Sequence, residues 1–161
     1  MESRFHRVWT LTQNVEGFHR LAGSKNLIEA HGNMHSLSFT KCKYKESLDE
    51  FEAIELPSKC PRCGALVRPD VVLFGELIDG PGVEHIQTEL ENGFDIVFSI
   101  GTTSVFPYIQ APIYLAKSVG NVTAEIDPSE TTVSHVVDYG LAMPAGAALD
   151  EIWKRCQAAI H

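Results

Sequence analysis

The stretch DIVFSIGTTSVFPYIQAPIYLAKSVGNVTAEID, residues 95–127, decides the fold. Its opening run DIVFSIG (95–101) is apolar on successive residues, the pattern of a strand covered on both faces of a parallel sheet, and it breaks at Gly101 into Thr102, Thr103 and Ser104. Pro107 then suits the first turn of a helix that reaches Val119, bends at Pro112 and closes on Gly120. NVTAEID (121–127) is a second buried-looking strand with an acidic end. Strand, helix, strand in this order predicts a right-handed βαβ unit, with ligands at the carboxyl ends of the strands.

The same logic extends outward. RVWTLT (7–12) reads as a strand that empties into the polar pair Gln13 and Asn14, followed by a short helix over 15–21 that stops at Gly23. PGVEHIQTELENG carries Pro81 in a first-turn position, Val83, Ile86 and Leu90 on one face, and Gly93 past the end, so a helix is expected there. Leu149, Ile152, Trp153, Cys156 and Ile160 mark an amphipathic closing helix, with Cys156 as a small buried hydrophobe. Residues 34–70 lose clear periodicity, hold three cysteines, and read as a small inserted module. The expected fold class is α/β: a partial doubly wound, Rossmann-like parallel sheet with a small zinc-ribbon-like insert, in one domain over 1–161.

Composition narrows the partners. A net charge of −8 and no cluster of Lys/Arg argue against nucleic acid and against an anionic membrane surface. MESRFHRVW lacks the apolar core of a secretory signal, no apolar run has the length of a bilayer span, and four cysteines without a secretory context fit a reducing compartment, so a cytoplasmic protein is expected.

Several residue sets admit a chemical and a plain reading. GTTS after a strand offers amides and hydroxyls to a phosphate or ribose, or is an ordinary βα turn. His31, before Gly32, is a solvated loop histidine or a proton acceptor acting on a substrate hydroxyl, which needs no protein nucleophile beside it. Cys42, Cys60 and Cys63 form C-x17-C-x2-C, a metal-like spacing in which Phe39 stands where a further cysteine would precede Cys42. They are free thiols, or zinc ligands completed by a group such as His35 or water. RPDVVLFGE (68–76) is core, or an exposed strand edge that accepts a peptide.

Taken in order, TQN (12–14), LAGSKNLIEAHG (21–32), CPRCG (60–64), RPDVVLFGE (68–76), IGTTSVFP (100–107) and AEID (124–127) resemble the sirtuins, the NAD-dependent protein-lysine deacylases, and most closely their bacterial and mitochondrial branch. The resemblance implies NAD as the coenzyme consumed, an acyl-lysine protein or peptide as substrate, and nicotinamide, free lysine and O-acyl-ADP-ribose as products. It implies His31 as the catalytic base, and Gln13, Asn14, Val15 and Glu16 around the nicotinamide and its ribose. Gly101, Thr102 and Thr103 match the ribose and phosphate turn; Asp127, Pro128 and Ser129 match the adenosine-ribose position, and Ala145 lies near the adenine. Val72, Phe74, Gly75 and Glu76 match the strand that pairs with the peptide, and Cys42, Cys60 and Cys63 the zinc ligands.

Three positions depart from the family pattern: Glu16 where aspartate is usual, Asp127 where asparagine is usual, and Phe39 in the cysteine set. The family's pyrophosphate loop and the segment covering the nicotinamide are expected before Thr10, where nine residues cannot contain them. The chain therefore resembles the C-terminal two thirds of a sirtuin, and either a homodimer or a separately supplied N-terminal part is expected to complete it. The alternative is a catalytically inactive remnant that binds a nucleotide or a protein.

Overall fold

The computed structural model describes residues 2–39, 41–47, 58–78 and 81–159; the side chains at 43–46 and 81–83 lie outside the description, as does Ile160 of the expected closing helix. Two compact units divide the chain, Met1–Thr88 and Glu89–His161.

In the first unit, β1 (Thr10–Thr12) and β2 (Leu27–Glu29) form a parallel pair in which Leu11 faces Ile28. Between them lies only a single helical turn, α1 (Phe18–Leu21), shorter than the sequence pattern predicts. Gly17 explains the late start, because its left-handed backbone, φ 77°, cannot belong to a right-handed helix. The inserted module is an antiparallel sheet ordered β4-β3-β5, from β3 (Gly32–Phe39), β4 (Cys42–Ser47) and β5 (Val67–Val71). Residues 48–57 of the expected module lie outside the described residues. Leu37 and Phe39 from β3 and Ala65 before β5 form its buried apolar positions. Helix α2 (Pro81–Glu91) runs across the division, buries Ile86 and ends in a turn where the Gly93 amide donates to the Leu90 carbonyl.

In the second unit the βαβ reading holds: β6 (Ile96–Ile100), α3 (Pro107–Ser118) and β7 (Val122–Ile126), with β6 and β7 parallel and in register from Ile96 opposite Val122 to Ile100 opposite Ile126. A third parallel strand, β8 (Tyr139–Leu141), had no sequence signal and extends the order to β6-β7-β8. Helix α4 (Ala145–Ala159) follows, with Ala148 buried and Leu149, Ile152 and Trp153 half-buried. Cys156 is half-buried too, short of the buried site expected for it. Pro107 opens α3 and Pro112 lies inside it, as the sequence predicts.

One expectation for β6 fails. The strand is apolar throughout, yet Ile96, Phe98 and Ile100 are exposed and only Ser99 is buried. Side chains alternate along a strand, so these three share one face of the sheet, and that face is left uncovered. The parallel strands expected from the sequence are present among the described residues as a pair in the first unit and a triplet in the second, with the antiparallel module between them in sequence.

Candidate active site

Thr12, at the end of β1, is buried and bends the chain that follows: its Oγ1 accepts the Asn14 amide at 3.1 Å. The next residues are held by the segment around His31. The Ala30 amide donates to Thr12, the Met34 amide to Val15, both at 2.9 Å, and the His35 Nε2 lies 3.2 Å from the Glu16 carbonyl. Gln13 is half-buried and Asn14 exposed, so this loop keeps polar groups at the surface while its backbone is pinned from behind.

His31 stands at the corner between β2 and β3. Its carbonyl accepts the Val72 amide at 2.9 Å, and Gly32 pairs with Val71. The turn of the chain depends on Gly32, whose φ of 78° lies in the left-handed region. Backbone hydrogen bonds thus tie Thr12 to Ala30, Val15 to Met34 and His31 to Val72, so that the loop carrying Gln13, Asn14 and Glu16 and the corner carrying His31 belong to linked segments of the first unit.

Beyond Val72 the expected extended strand does not continue. β5 ends at Val71, and the Glu76 amide donates to the Leu73 carbonyl at 3.0 Å, closing a turn with Gly75 at its third position and φ 86°. That backbone suits a type II turn, in which glycine carries the positive φ. Phe74 is displayed at the tip, fully exposed. The exposed Glu76 carboxylate folds back on the turn: it takes the Arg68 guanidinium through both oxygens, at 2.6 and 2.7 Å, and the Leu73 amide at 2.9 Å. Glu76 therefore shapes the turn, and Arg68, which also donates to the Val71 carbonyl, is its partner. No periodic pattern connects residues 68 and 76, so sequence reasoning missed this pair.

The second unit holds the remaining candidates. The Gly101 amide donates to the Ile126 carbonyl at 3.0 Å, so the glycine turn and the end of β7 lie side by side. Gly101 (φ 58°) and Ser104 (φ 53°) are both left-handed. The second is unusual for a serine and is held from several sides: Ser104 is buried, its Oγ lies 3.1 Å from Ser99 Oγ, and its carbonyl accepts Gln110 at 2.7 Å and the Thr132 hydroxyl at 2.6 Å. Asp127 is half-buried and accepts the Ser129 amide at 2.9 Å, a local turn that fixes Pro128 between them. Glu125, buried in β7, takes the hydroxyls of Thr131 and Ser134 and so anchors the loop that carries Thr132. Ala145, at the start of α4, is half-buried.

Two carboxylates give the chain an acid-sensitive signature. The Arg68 side chain, then the Leu73 amide, hold the Glu76 carboxyl down at about 2; Lys117, then the Thr123 amide and hydroxyl, hold Asp138 at about 2. Their unfolded values are about 4.3 and 3.9, so each folded pKa is depressed. Such a group contributes stability above its unfolded pKa and loses it as pH falls through the folded one. Melting temperature should hold steady to about pH 5 and fall between about pH 4.5 and 2, with a shallower fall in Asp138→Asn; an unchanged slope in that variant would remove Asp138 from the account.

The cysteine sulfurs gather as expected. Cys42, Cys60 and Cys63 offer sulfurs all within 4.8 Å of one another, and Cys42 and Cys60 are 3.6 Å apart. Two thiolates on a tetrahedral zinc, each at about 2.3 Å, stand roughly 3.8 Å apart, so this set can hold the metal. Burial pushes the Cys60 thiol up, but the Cys63 and Arg62 amides and the neighbouring thiols outweigh it and hold it below its ordinary value. Phe39 is buried opposite Cys42 and Val67, filling an apolar core position. His35 is directed to the Glu16 carbonyl, and among the described residues the metal-ligating group consists of the three cysteines alone.

Parallel strands ending in a glycine turn, with a histidine–glycine corner in the preceding unit, define a Rossmann-like α/β protein. The comparisons narrow the class. The model of the Sir2 family matches residues 1–107, and the chain belongs to that family. The NAD-dependent protein deacylase 2 of Pseudomonas aeruginosa is 41% identical over 145 residues, covering 88% of this chain and 56% of the relative. The NAD-dependent protein deacylase of Pyrococcus abyssi is 39% identical over 149 residues, covering 88% of this chain and 58% of the relative. A crystal structure of a Sir2 homologue in complex with NAD superposes with a TM-score of 0.87 at 32% identity, over 96% of this chain and 60% of that one. The chain thus spans less than two thirds of the length of the relatives it matches. No described helix is long and apolar enough to cross a membrane.

Proposed function

We propose that this chain carries out, or supplies most of the catalytic domain for, NAD-dependent removal of acyl groups from protein lysines in the cytoplasm. The observation that carries the reading is the corner at His31: one backbone contact ties it to Val72, where the peptide-binding segment begins, and Ala30 and Met34 tie the same segment to the Gln13–Glu16 loop. A proton acceptor, a set of amide side chains and a peptide-facing turn are the groups the reaction requires. In this reading Gln13 and Asn14 orient the nicotinamide riboside. Gly101, Thr102 and Thr103 take the ribose and phosphate, and Asp127, Pro128 and Ser129 take the adenosine ribose beside Ala145. The backbone of Val72–Gly75 receives the peptide. His31 accepts a proton from a ribose hydroxyl after nicotinamide has left, freeing that oxygen to attack the acyl carbon. Both units belong to one catalytic domain.

Incubating the 161-residue chain with an acetyl-lysine peptide and NAD should release nicotinamide and deacylated peptide in equal amounts. Nucleotide binding without nicotinamide release would instead identify an inactive remnant. The exposed row Ile96, Phe98 and Ile100 on edge strand β6 supports a covering partner, a second copy or a further segment of the domain. Light scattering of the purified chain should show a dimer; a monodisperse monomer would point to the further segment.

Zinc at Cys42, Cys60 and Cys63 belongs to the same reading, as a structural staple of the β3–β5 module. A ligand present at 100 times its dissociation constant stabilises by about 2.7 kcal/mol, and for a chain of this size that is roughly 5–10 °C in melting temperature. Chelation should lower the melting temperature by about that amount, and Cys60→Ser should lose the metal. Purified chain with no zinc by mass spectrometry, and no response to chelator, would leave the cysteines as free thiols.

A further inference from the structure

The corner that carries His31 is bridged by a side-chain network that the reaction chemistry does not use. Glu29, two residues before His31, and Asn33, two residues after it, meet directly: the Asn33 Nδ2 donates to Glu29 Oε1 at 2.5 Å. The other carboxylate oxygen takes Arg20, Nε at 2.9 Å and Nη2 at 2.5 Å, from α1. Asn33 Oδ1 in turn accepts the His35 amide at 2.8 Å, and the His35 ring reaches the Glu16 carbonyl. One chain of contacts therefore runs from Arg20 through Glu29 and Asn33 to the end of the Gln13–Glu16 loop, spanning the corner that carries His31.

Burial gives this network its weight. The Glu29 side chain is only 8% exposed, and Asn33 is buried, whereas the Arg20 side chain is 65% exposed. A carboxylate removed from water must be compensated by charge and hydrogen bonds, and here Arg20 supplies the charge from the exposed side and Asn33 a hydrogen bond from within. The Arg20 guanidinium is a permanent cation, and hydrogen bonding to Glu29 raises it further above its ordinary value. Glu29 is thus the junction of three elements: α1 through Arg20, its own strand β2, and β3 through Asn33.

We propose that Glu29 is a positioning residue: clasped between Arg20 and Asn33, it fixes the corner that carries His31 and, through Asn33 and His35, the Gln13–Glu16 loop. Its effect on the rate rests on His31 being the proton acceptor, while the positioning itself acts through geometry, since Glu29 need touch no substrate. A misplacement of about 1 Å in such a site can cost roughly 100-fold in rate.

The test uses the full chain. Glu29→Gln keeps the size of the side chain and removes the charge that Arg20 requires. Its kcat for acetyl-lysine peptide should fall between about tenfold and a hundredfold, with the peptide KM within about twofold, because the turn at 73–76 is left alone. The imidazole resonances of His31, followed by NMR without ligand, should move. Resonances that superpose on the unsubstituted chain, or kcat and KM that change together in step with a lowered melting temperature, would overturn the role. If Glu29→Gln does not fold, Arg20→Gln decides the matter from the exposed end: a smaller displacement of the same resonances is expected, and none would overturn it. If the unsubstituted chain releases no nicotinamide while Glu29→Gln still moves His31, the deacylase reading fails and the positioning role stands.

Discussion

Gly32→Ala is expected to cost at least about 3 kcal/mol, enough to lower the melting temperature by roughly 6–12 °C or to prevent folding. Two separate penalties fall on this position. The backbone φ of 78° disfavours any side chain, by about 1–2 kcal/mol for alanine. In addition, a β-carbon there would lie 1.9 Å from the carbonyl oxygen of Asp70 and 3.1 Å from the Val71 Cα. Neither neighbour can swing aside, since both are backbone of the strand that pairs with Gly32 itself. Gly75→Ala separates the two penalties: its φ of 86° carries the conformational cost, but nothing lies within 4 Å of the added carbon. That variant should lose only about 1–2 kcal/mol. Thermal unfolding of both variants checks the argument. Equal losses would mean that the close approach of β3 and β5 at Gly32 is not what demands a glycine.

The glycine before that approach was visible in the sequence, but its reason was not. The HG pair stands out as part of an ordered set of motifs, while the Asp70 carbonyl that excludes a β-carbon lies 38 positions further along the chain. The elements legible in advance were those with a local signal: the β6–α3–β7 unit from its apolar runs, Pro107 and Gly120, and α2 from its spacing of apolar residues. The strands missed were short or half-polar. β2 and β8 span three residues each, and β3, GNMHSLSF, alternates too irregularly to show its pairing. Whether a sheet face is covered is likewise invisible to composition, and so Ile96, Phe98 and Ile100 read as buried when they are exposed. The site followed the same division. Residues inside motifs were named from the motifs, but the groups that hold them, Arg68 under Glu76, Thr132 under Ser104 and Arg20 on Glu29 beside the His31 corner, are side-chain partners 8, 28 and 9 positions apart with no spacing rule. Glu76, expected beside the peptide, gains a second role once Arg68 is found, as the clamp of the turn that carries it.

His31→Ala should lower the rate of deacylated-peptide formation at least about 100-fold, the lower end of what a positioned proton acceptor contributes. The chain should still fold, because His31 contributes its carbonyl to the Val72 amide through the backbone, which alanine keeps, and because the strained position is Gly32 beside it. The order of steps makes the prediction sharper than loss of activity. If His31 acts only after nicotinamide has departed, its removal should leave the first bond cleavage comparatively intact. Exchange of labelled nicotinamide into NAD, in the presence of acyl peptide, should therefore fall by a smaller factor than peptide deacylation. Deacylation and exchange lost to the same extent would place His31 in cofactor binding or in the first step; turnover equal to that of the unsubstituted chain would remove it from the mechanism altogether. The second outcome would shift attention to the Gln13–Glu16 loop, whose backbone is pinned by the same segment and whose amide side chains would then have to orient the reaction without an imidazole.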